Sequence, residues 1–315
     1  MNNKKVVVIG GGTGLSTLLR GLKLYTHEIT AVVTVADDGG SSGILRNDFG
    51  MLPPGDVRNC VSALADVDPV MGKLLSFRFT EGTLSGHSLG NLMLAALNEM
   101  SSSFEEAVCK FNRVMGVVGR VYPVTNESLV LSAVLEDGTV IDGESGIGVY
   151  REGADKGIKE IYLTPQKPAP VDGVISALNA ADIIVLGPGS LYTSIIPNLL
   201  VNGVVEAIHK SSAKKIYVCN IMTQPGETDG YTVSEHLSAI EKYSYKGIAD
   251  AVIVNKAALP GELYKRYAEE HSYVVEPDAD KINCKVLFGD FILVKDGKIR
   301  HNFSRLARTI MKPEW

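Results

Sequence analysis

Short apolar runs alternate with stretches of helical period along most of the chain. Five of these runs are too short to form ordinary helices and consist mainly of aliphatic residues; they lie at 4–9, 29–36, 181–186, 214–219 and 250–254. Strands that are buried on both faces have this composition, because helices cover both sides of a parallel sheet. The pattern therefore predicts an α/β fold with a Rossmann-like, doubly wound and mostly parallel sheet.

Two segments depart from this alternation. Residues from about 56 to 114 keep a helical period throughout, which predicts a helical insertion. Between about 117 and 163, polar and apolar residues alternate around an Asp-Gly pair at 137–138, which is typical of a hairpin in a small antiparallel accessory sheet. A second Asp-Gly hairpin is predicted at 296–297. Because no low-complexity linker separates these parts, we expect residues 1–315 to form a single large α/β domain.

Composition and charge narrow the class of protein. A chain of 315 residues that is 45% hydrophobic can bury a large core. Its net charge of -5 argues against a surface built to bind nucleic acid. The four cysteines stand far apart and favour neither a zinc site nor a disulfide framework, which agrees with a reducing cytoplasm. Since no apolar run approaches ~18 residues, we predict a cytoplasmic protein without a signal peptide or membrane insertion.

A glycine-rich turn follows the first apolar run directly and leads into a helical stretch. It consists of Gly10, Gly11, Gly12, Thr13 and Gly14. Free backbone N–H groups at a helix N-terminus attract anions, so this turn predicts a phosphate-binding loop. It matches neither the dinucleotide-binding nor the Walker pattern, and therefore selects neither NAD nor ATP. A plain strand-to-helix turn remains the alternative, although such a turn ordinarily needs fewer glycines.

The same arrangement occurs a second time later in the chain. Gly187, Gly189 and Ser190 follow the apolar run at 181–186 and precede another helical stretch. We therefore expect a second anion-binding turn at the same edge of the sheet, in contact with the same ligand.

Two adjacent acids, Asp37 and Asp38, follow the apolar run at 29–36. The carboxyl ends of parallel strands meet at the edge where doubly wound sheets bind ligands. One aspartate could accept a hydrogen bond from a ribose hydroxyl, while the other holds Mg²⁺ or orients an attacking hydroxyl. Mg²⁺ is the cofactor that this pair suggests, and an Asp-Gly turn with a helix cap is the structural alternative.

Polar residues of the helical insertion form a weaker set of candidates. Ser88 can cap a helix that carries Asn91 in its first turn, with His87 just before it. His87 and Asn91 then face one opening, either as ligand contacts or as partners of nearby protein groups. Arg58 could pair with a diphosphate or with the nearby Asp56.

Two further candidates lie in the C-terminal third. Asn255 ends the apolar run at 250–254 at the same sheet edge, where it could bind a base or a sugar. Arg300 and His301 end a short strand, and neighbours in a strand point to opposite faces, so at most one of them normally reaches a given pocket. Arg300 is the better candidate because a guanidinium can bind a phosphate or a sugar through two hydrogen bonds.

Several long motifs together resemble one known family. They read IGGGTGLSTLLRGLK, VTVADDGGSSG, PPGDVRN, GHSLGNLMLAAL, GPGSLYTSIIPNLL and CNIMTQPGET. The resemblance is to the gluconeogenesis factor family (YvcK-like), which shares a superfamily with the 2-phospho-L-lactate transferases (CofD-like), and it is strongest from residue 5 to about 230. It implies a Rossmann-like fold that binds a UDP-sugar such as UDP-N-acetylglucosamine. It also implies a role in carbon metabolism and in cell-wall synthesis and cell shape under gluconeogenic growth, without established catalysis.

We therefore expect a nucleotide-sugar-binding protein with a regulatory role, which could form homo-oligomers and bind regulatory protein partners. An alternative is a Mg²⁺-dependent phospholactate-type transferase that uses a nucleoside-diphosphate-linked donor, with Asp37 or Asp38 as metal ligand or base. A second alternative is an NAD-binding oxidoreductase. That reaction would need a second substrate site and a proton relay, for which His87 is the available group.

Overall fold

The computed structural model describes residues 3–149 and 157–312 of the chain. Their strands are β1 (Val6–Gly10), β2 (Ile29–Val33), β3 (Arg120–Pro123), β4 (Val130–Leu135), β5 (Val140–Asp142), β6 (Ile158–Thr164), β7 (Ile183–Leu186), β8 (Lys214–Val218), β9 (Ala251–Asn255), β10 (Lys285–Gly289), β11 (Ile292–Lys295) and β12 (Lys298–His301).

Helices connect most of these strands. They are α1 (Gly12–Leu22), α2 (Gly40–Phe49), α3 (Gly55–Leu64), α4 (Pro69–Ser76), α5 (Leu89–Glu99), α6 (Phe104–Val114), α7 (Glu144–Ile147), α8 (Asp172–Ala180), α9 (Ile196–Leu199), α10 (Val204–Lys210), α11 (Val233–Lys242), α12 (Gly261–Glu269) and α13 (Phe303–Ile310). A π-helical turn at Leu191–Ile195 leads directly into α9, and a 3-10 turn covers Ala279–Lys281.

Seven strands form one parallel sheet in the order β10-β9-β8-β7-β1-β2-β3. The chain begins at the centre with β1, moves outward through β2 to β3, and then returns to β7 on the other side of β1. Strand order therefore reverses between β1 and β7, and ligands of open α/β sheets bind beyond the carboxyl ends of the strands at such a reversal. The predicted doubly wound parallel sheet is confirmed.

The core explains why the central strands are apolar at nearly every position. All residues of β1, β7 and β9 are buried, because helices cover both faces of the sheet. The edge strand β10 is half-exposed instead. Its sequence therefore carries a weaker apolar pattern than the five runs that predicted strands.

A small antiparallel sheet with the order β5-β4-β6 lies outside the main sheet. Strands β4 and β5 form the hairpin that the Asp-Gly pair at 137–138 predicts. The segment from about 117 to 163 is not accessory throughout, however, since β3 pairs in parallel with β2. Strand β3 is the edge of the main sheet and buries alternate residues, which produces the alternation that had suggested an antiparallel strand.

The helical insertion contains α3, α4, α5 and α6, which lie within or beside the predicted segment at 56–114. Side chains cap three of these helices: Asp68 accepts from Val70 before α4, and Ser88 and Ser103 act in the same way before α5 and α6. Helix α2 was not predicted, because its first turn reads as a glycine- and serine-rich loop. Gly40 begins it with φ of +46°, a conformation that favours glycine.

The C-terminal part of the chain returns to the first helix. Strands β11 and β12 form the hairpin predicted at 296–297, and α13 packs on α1. A side chain at Gly21 would place its Cβ 2.3 Å from the carbonyl oxygen of Phe303, so this helix pair requires glycine there. Strand β12 also contacts α1.

Within residues 3–149 and 157–312, no single helix is long and apolar enough to cross a bilayer. Residues Leu191–Leu199 and Val204–Lys210 reach that length and composition only when taken together, and they are bent by 75° relative to each other.

Candidate functional site

A cavity of about 500 Å³ opens at the carboxyl ends of β1 and β7, where the strand order reverses. Residues 11–14 form one side of it and residues 188–190 another. The segment 220–225 after β8 and residues 299–301 of β12 also line it. The two glycine-rich turns predicted to bind phosphate therefore lie in a single cavity.

The two turns also pack against each other and against the helical insertion. An added Cβ at Gly14 would lie 2.5 Å from the carbonyl oxygen of Pro188, and one at Gly11 would lie 2.6 Å from Oδ2 of Asp56. Gly12 has φ of +65°, which favours glycine for conformational reasons. Close approach between protein groups thus accounts for Gly11 and Gly14, and backbone conformation accounts for Gly12, whether or not a ligand also approaches them.

A protein carboxylate already occupies part of the first anion-attracting turn. The backbone N–H of Gly12 donates to Oδ2 of Asp56 at 2.6 Å. Burial and the charge of Asp37 raise the pKa of Asp56 to about 6, although the bond from Gly12 acts in the opposite direction. Among the described residues, no protein group accepts a hydrogen bond from the N–H groups of Thr13 and Gly14. Those two groups remain available to an anion.

The helical turn that follows the second glycine-rich turn is also capped by a carboxyl group, that of Glu227. Tyr192 donates its backbone N–H to Oε2 of Glu227 at 3.2 Å, and the Thr193 hydroxyl donates to Oε1 at 3.4 Å. Burial raises the pKa of Glu227 to about 7, despite these hydrogen bonds. Both helical turns at the cavity are therefore capped by an acid from another part of the chain, half-buried in the case of Asp56 and buried in the case of Glu227.

Asp37 and Asp38 point in different directions. Asp37 lines the cavity and accepts from the N–H of Gly39 at 2.9 Å. Asp38 lines a separate, smaller cavity and accepts from the N–H of Ser145 at 2.9 Å. The bond from Ser145 lets Asp38 fix the start of α7, so Asp38 acts on the main cavity through the accessory sheet.

Glu144, the first residue of α7, is placed in the main cavity by this attachment. Burial and the nearby charges of Asp37, Asp56, Glu227 and Asp38 raise its pKa to about 9. Glu144 therefore carries a proton at neutral pH and can donate a hydrogen bond.

The acids of the cavity limit how Mg²⁺ could bind there. Residues 3–149 and 157–312 contain no group of three or more metal-ligating side chains that could hold a metal ion. The predicted pair cannot act together, since Asp38 faces another cavity. A Mg²⁺ ion in the main cavity would be held by Asp37 together with oxygens of the ligand, which is how Mg²⁺ often binds beside phosphates.

The structure brings His87 and Asn91 together at the hydroxyl of Ser41. Nδ1 of His87 lies 3.0 Å from Oγ of Ser41, and the Asn91 amide donates to the same oxygen at 3.1 Å. Arg58 donates from Nε to Oδ1 of Asn91 at 3.2 Å. This buried network joins three segments beside the cavity but does not line it. The group that the oxidoreductase hypothesis needed as a proton relay is therefore engaged elsewhere.

Asn255 likewise lies outside the cavity lining. Its amide donates to the carbonyl oxygen of Ala257 at 3.0 Å, and its Oδ1 accepts from the N–H of Phe291 at 3.0 Å. These bonds fix the turn after β9.

Arg300 and His301, in contrast, both contribute to the cavity wall. Their side chains were expected to point to opposite faces of the strand, with at most one of them in the cavity.

Two residues of the segment after β8, Asn220 and Gln224, contribute to the site although the strand and loop pattern did not predict them. Asn220 donates to the carbonyl oxygen of Gly189 at 2.9 Å, and Gln224 donates to the hydroxyl of Ser190 at 2.6 Å. Both hold the second glycine-rich turn in place. They follow the apolar run at 214–219, so the rule that identified Asp37 could have found them.

Comparison with known proteins identifies the family. The family model described as 2-phospho-L-lactate transferase CofD matches residues 6–292. Among curated proteins, the gluconeogenesis factor of Halalkalibacterium halodurans is 46% identical over 99% of this chain and 97% of its own length. The gluconeogenesis factor of Bacillus subtilis is 44% identical over 98% of this chain and 97% of its own length.

A solved structure agrees with these relatives. The crystal structure of a member of the UPF0052 family from Bacillus halodurans superposes with a TM-score of 0.94 at 46% identity. The match covers 98% of this chain and 100% of that one. The fold, the two glycine-rich turns and these full-length similarities lead to one conclusion: the chain belongs to the gluconeogenesis factor family of CofD-like proteins.

Proposed function

We propose that this protein is a cytoplasmic receptor for a nucleotide sugar of the UDP-N-acetylglucosamine type, and that it regulates carbon metabolism and cell-wall synthesis. The observation that supports this most is the meeting of two glycine-rich turns in one cavity at the reversal of strand order. The cavity volume of about 500 Å³ lies within the range of small-molecule sites.

The charges of the cavity favour a nucleotide sugar over a nucleoside triphosphate. The free N–H groups of Thr13 and Gly14 and the guanidinium of Arg300 can bind a diphosphate. The carboxylate of Asp37 opposes additional negative charge, whereas Asp37 and the protonated Glu144 can both hydrogen-bond to hydroxyl groups. A sugar supplies such hydroxyl groups, whereas a third phosphate would bring the charge that this wall disfavours.

The binding partner is tested by thermal unfolding with a panel of ligands. UDP-N-acetylglucosamine at ~100 times its dissociation constant should stabilise the fold by about 2.7 kcal/mol, because it binds only the folded state. NADH and GDP at the same concentration should produce much smaller shifts in the melting temperature. Equal shifts from all three compounds would contradict a nucleotide-sugar receptor.

Arg300 provides a test within the site. Replacing Arg300 with alanine should weaken binding of UDP-N-acetylglucosamine by about 1.5–3 kcal/mol, the contribution of a hydrogen bond to a charged group. The melting temperature without ligand should barely change, since the side chain is exposed. The matched control is Lys298→Ala, which removes an exposed cation from the same strand but outside the cavity. Calorimetric titration measures both, and equal affinity in the two variants would remove Arg300 from the site.

A transferase is the second candidate, because the family model that matches is described as 2-phospho-L-lactate transferase CofD. In that reaction Asp37 would hold Mg²⁺ or orient the acceptor hydroxyl, since Asp38 is engaged by Ser145. Phosphorus NMR of a nucleoside-diphosphate-linked donor with Mg²⁺ and a hydroxyl acceptor distinguishes the two candidates. A receptor leaves the donor intact, whereas a transferase consumes it.

A further inference from the structure

His301 occupies an unusual position in the cavity wall. It ends β12, next to Arg300, and its Nδ1 is buried without a hydrogen-bond partner in the described part of the chain. Burial also lowers the pKa of His301 to about 4, so its ring is neutral at physiological pH. A neutral imidazole offers one N–H donor and one lone-pair acceptor.

An unpartnered nitrogen of this kind is costly. A buried polar group without a partner typically destabilises a protein by about 1–3 kcal/mol, whereas a phenyl ring of similar size does not incur that cost. Four other side chains in residues 3–149 and 157–312 have a buried polar atom without a partner, and none of them lines the cavity; they are Asn112, Asn198, Tyr217 and His236. Within the described structure, His301 alone combines an unpartnered buried nitrogen with a place on the cavity wall.

The surrounding side chains do not satisfy this nitrogen. The hydroxyl of Tyr267 accepts from the backbone N–H of Ile299 at 2.8 Å, and that of Ser272 donates to the carbonyl oxygen of Thr223 at 2.7 Å. Tyr267 and Ser272 both line the cavity, and neither hydroxyl is bonded to Nδ1 of His301. A half-turn of the His301 ring exchanges the positions of Nδ1 and Cδ2. Nδ1 can therefore move to the side of the ring where Cδ2 lies, without any movement of the backbone.

The chemistry of a neutral imidazole indicates which part of a ligand it would contact. Phosphate oxygens only accept hydrogen bonds, and the amide groups of Thr13 and Gly14 and the charge of Arg300 suit them better. A group that both donates and accepts suits a sugar hydroxyl or the amide edge of a pyrimidine base.

We propose that His301 is a specificity-determining residue that hydrogen-bonds to the uncharged part of the nucleotide sugar, at a sugar hydroxyl or at the base. This inference rests on the proposed function. It assigns the wall formed by β12 to ligand recognition beyond the diphosphate, and it explains why a polar ring is kept where an apolar one would stabilise the unliganded fold.

The test compares ligand affinity with stability in the full chain. His301→Phe should bind UDP-N-acetylglucosamine at least about tenfold more weakly, while its melting temperature without ligand stays equal or rises. His301→Asn places an amide near the position of Nδ1 and should keep most of the affinity. The control His236→Asn removes an unpartnered buried nitrogen elsewhere and should leave the affinity unchanged.

Titration with UDP as a second probe identifies the contacted part of the ligand. An equal loss for UDP and UDP-N-acetylglucosamine in His301→Phe supports contact with the base, and a loss confined to the latter supports contact with the sugar. Unchanged affinity for both ligands overturns the assignment; if His301→Phe does not fold, His301→Leu is judged by the same criteria. Failure of the wild-type protein to bind either ligand overturns the proposed function as well, so the two failures are distinguishable.

Discussion

Replacing Gly14 with alanine should lower the free energy of unfolding by about 3 kcal/mol, the upper range for forcing extra atoms into a packed interior. The added Cβ would lie 2.5 Å from the carbonyl oxygen of Pro188, and both groups belong to backbone that cannot move independently. Alanine is the better helix former by about 1 kcal/mol, and Gly14 lies in α1, so propensity alone predicts the opposite sign. Urea denaturation measures the change.

Gly10 supplies the matched control in the same turn. An added Cβ there would lie 3.9 Å from its nearest neighbours, which is ordinary van der Waals contact. Gly10→Ala should therefore change stability by less than about 1 kcal/mol. Equal stability of the two variants would show that the turns at residues 10–14 and 187–190 can separate. Nucleotide-sugar binding should be lost in Gly14→Ala, because displacement of either turn moves one side of the cavity.

The central part of the fold could be predicted from sequence because burial on both faces leaves a continuous apolar run. Strand β3 was assigned to the wrong sheet and β10 was not predicted, and both lie at the edges of the main sheet. An edge strand buries fewer of its residues, so its pattern resembles that of a half-exposed antiparallel strand. Helix α2 was missed for a different reason, since tertiary packing overrides the low helix propensity of its glycines and serines.

Only those residues of the candidate site that directly follow a predicted strand could be predicted from the sequence. The carboxyl ends of parallel strands brought the glycine-rich turns and Asp37 to one edge, as the strand pattern implies. The pattern places backbone and does not fix the direction of a side chain, and Asp38 and Asn255 both turn away from the cavity. Glu144 could not be found in this way, because it reaches the cavity from the accessory sheet.

The two capping acids, Asp56 and Glu227, compete with an anionic ligand for the helical turns at the cavity. Asp56 and Glu227 each accept hydrogen bonds from a helical turn that would otherwise attract an anion, and the pKa of each is raised, to about 6 and about 7. An anionic ligand therefore competes with protein carboxyl groups for the same turns. This competition predicts that the strongest phosphate contacts come from the amides of Thr13 and Gly14, which no described protein group occupies.

Between pH 5 and pH 9 the wild-type protein should lose about 3 kcal/mol of stability because Glu227 ionises, and Glu227→Gln should not show this loss. Burial raises the pKa of Glu227 from 4.5 to about 7, so the folded state favours the protonated form. Stability that the wild-type protein has below pH 4.5 is then lost as the pH rises through 7. Glutamine keeps a carbonyl oxygen for the N–H of Tyr192 but cannot ionise, so the variant should match the wild type near pH 5 and exceed its stability at pH 9.

The measurement is the free energy of unfolding in urea at several pH values across this window. Glu206→Gln makes the same substitution at an exposed position in the first turn of α10, and its pH profile should run parallel to that of the wild-type protein. A wild-type profile that also runs parallel to that of Glu227→Gln would show that Glu227 stays ionised in the fold. The second glycine-rich turn would then hold a permanent negative charge, and a diphosphate could bind only at the first turn, through Thr13 and Gly14.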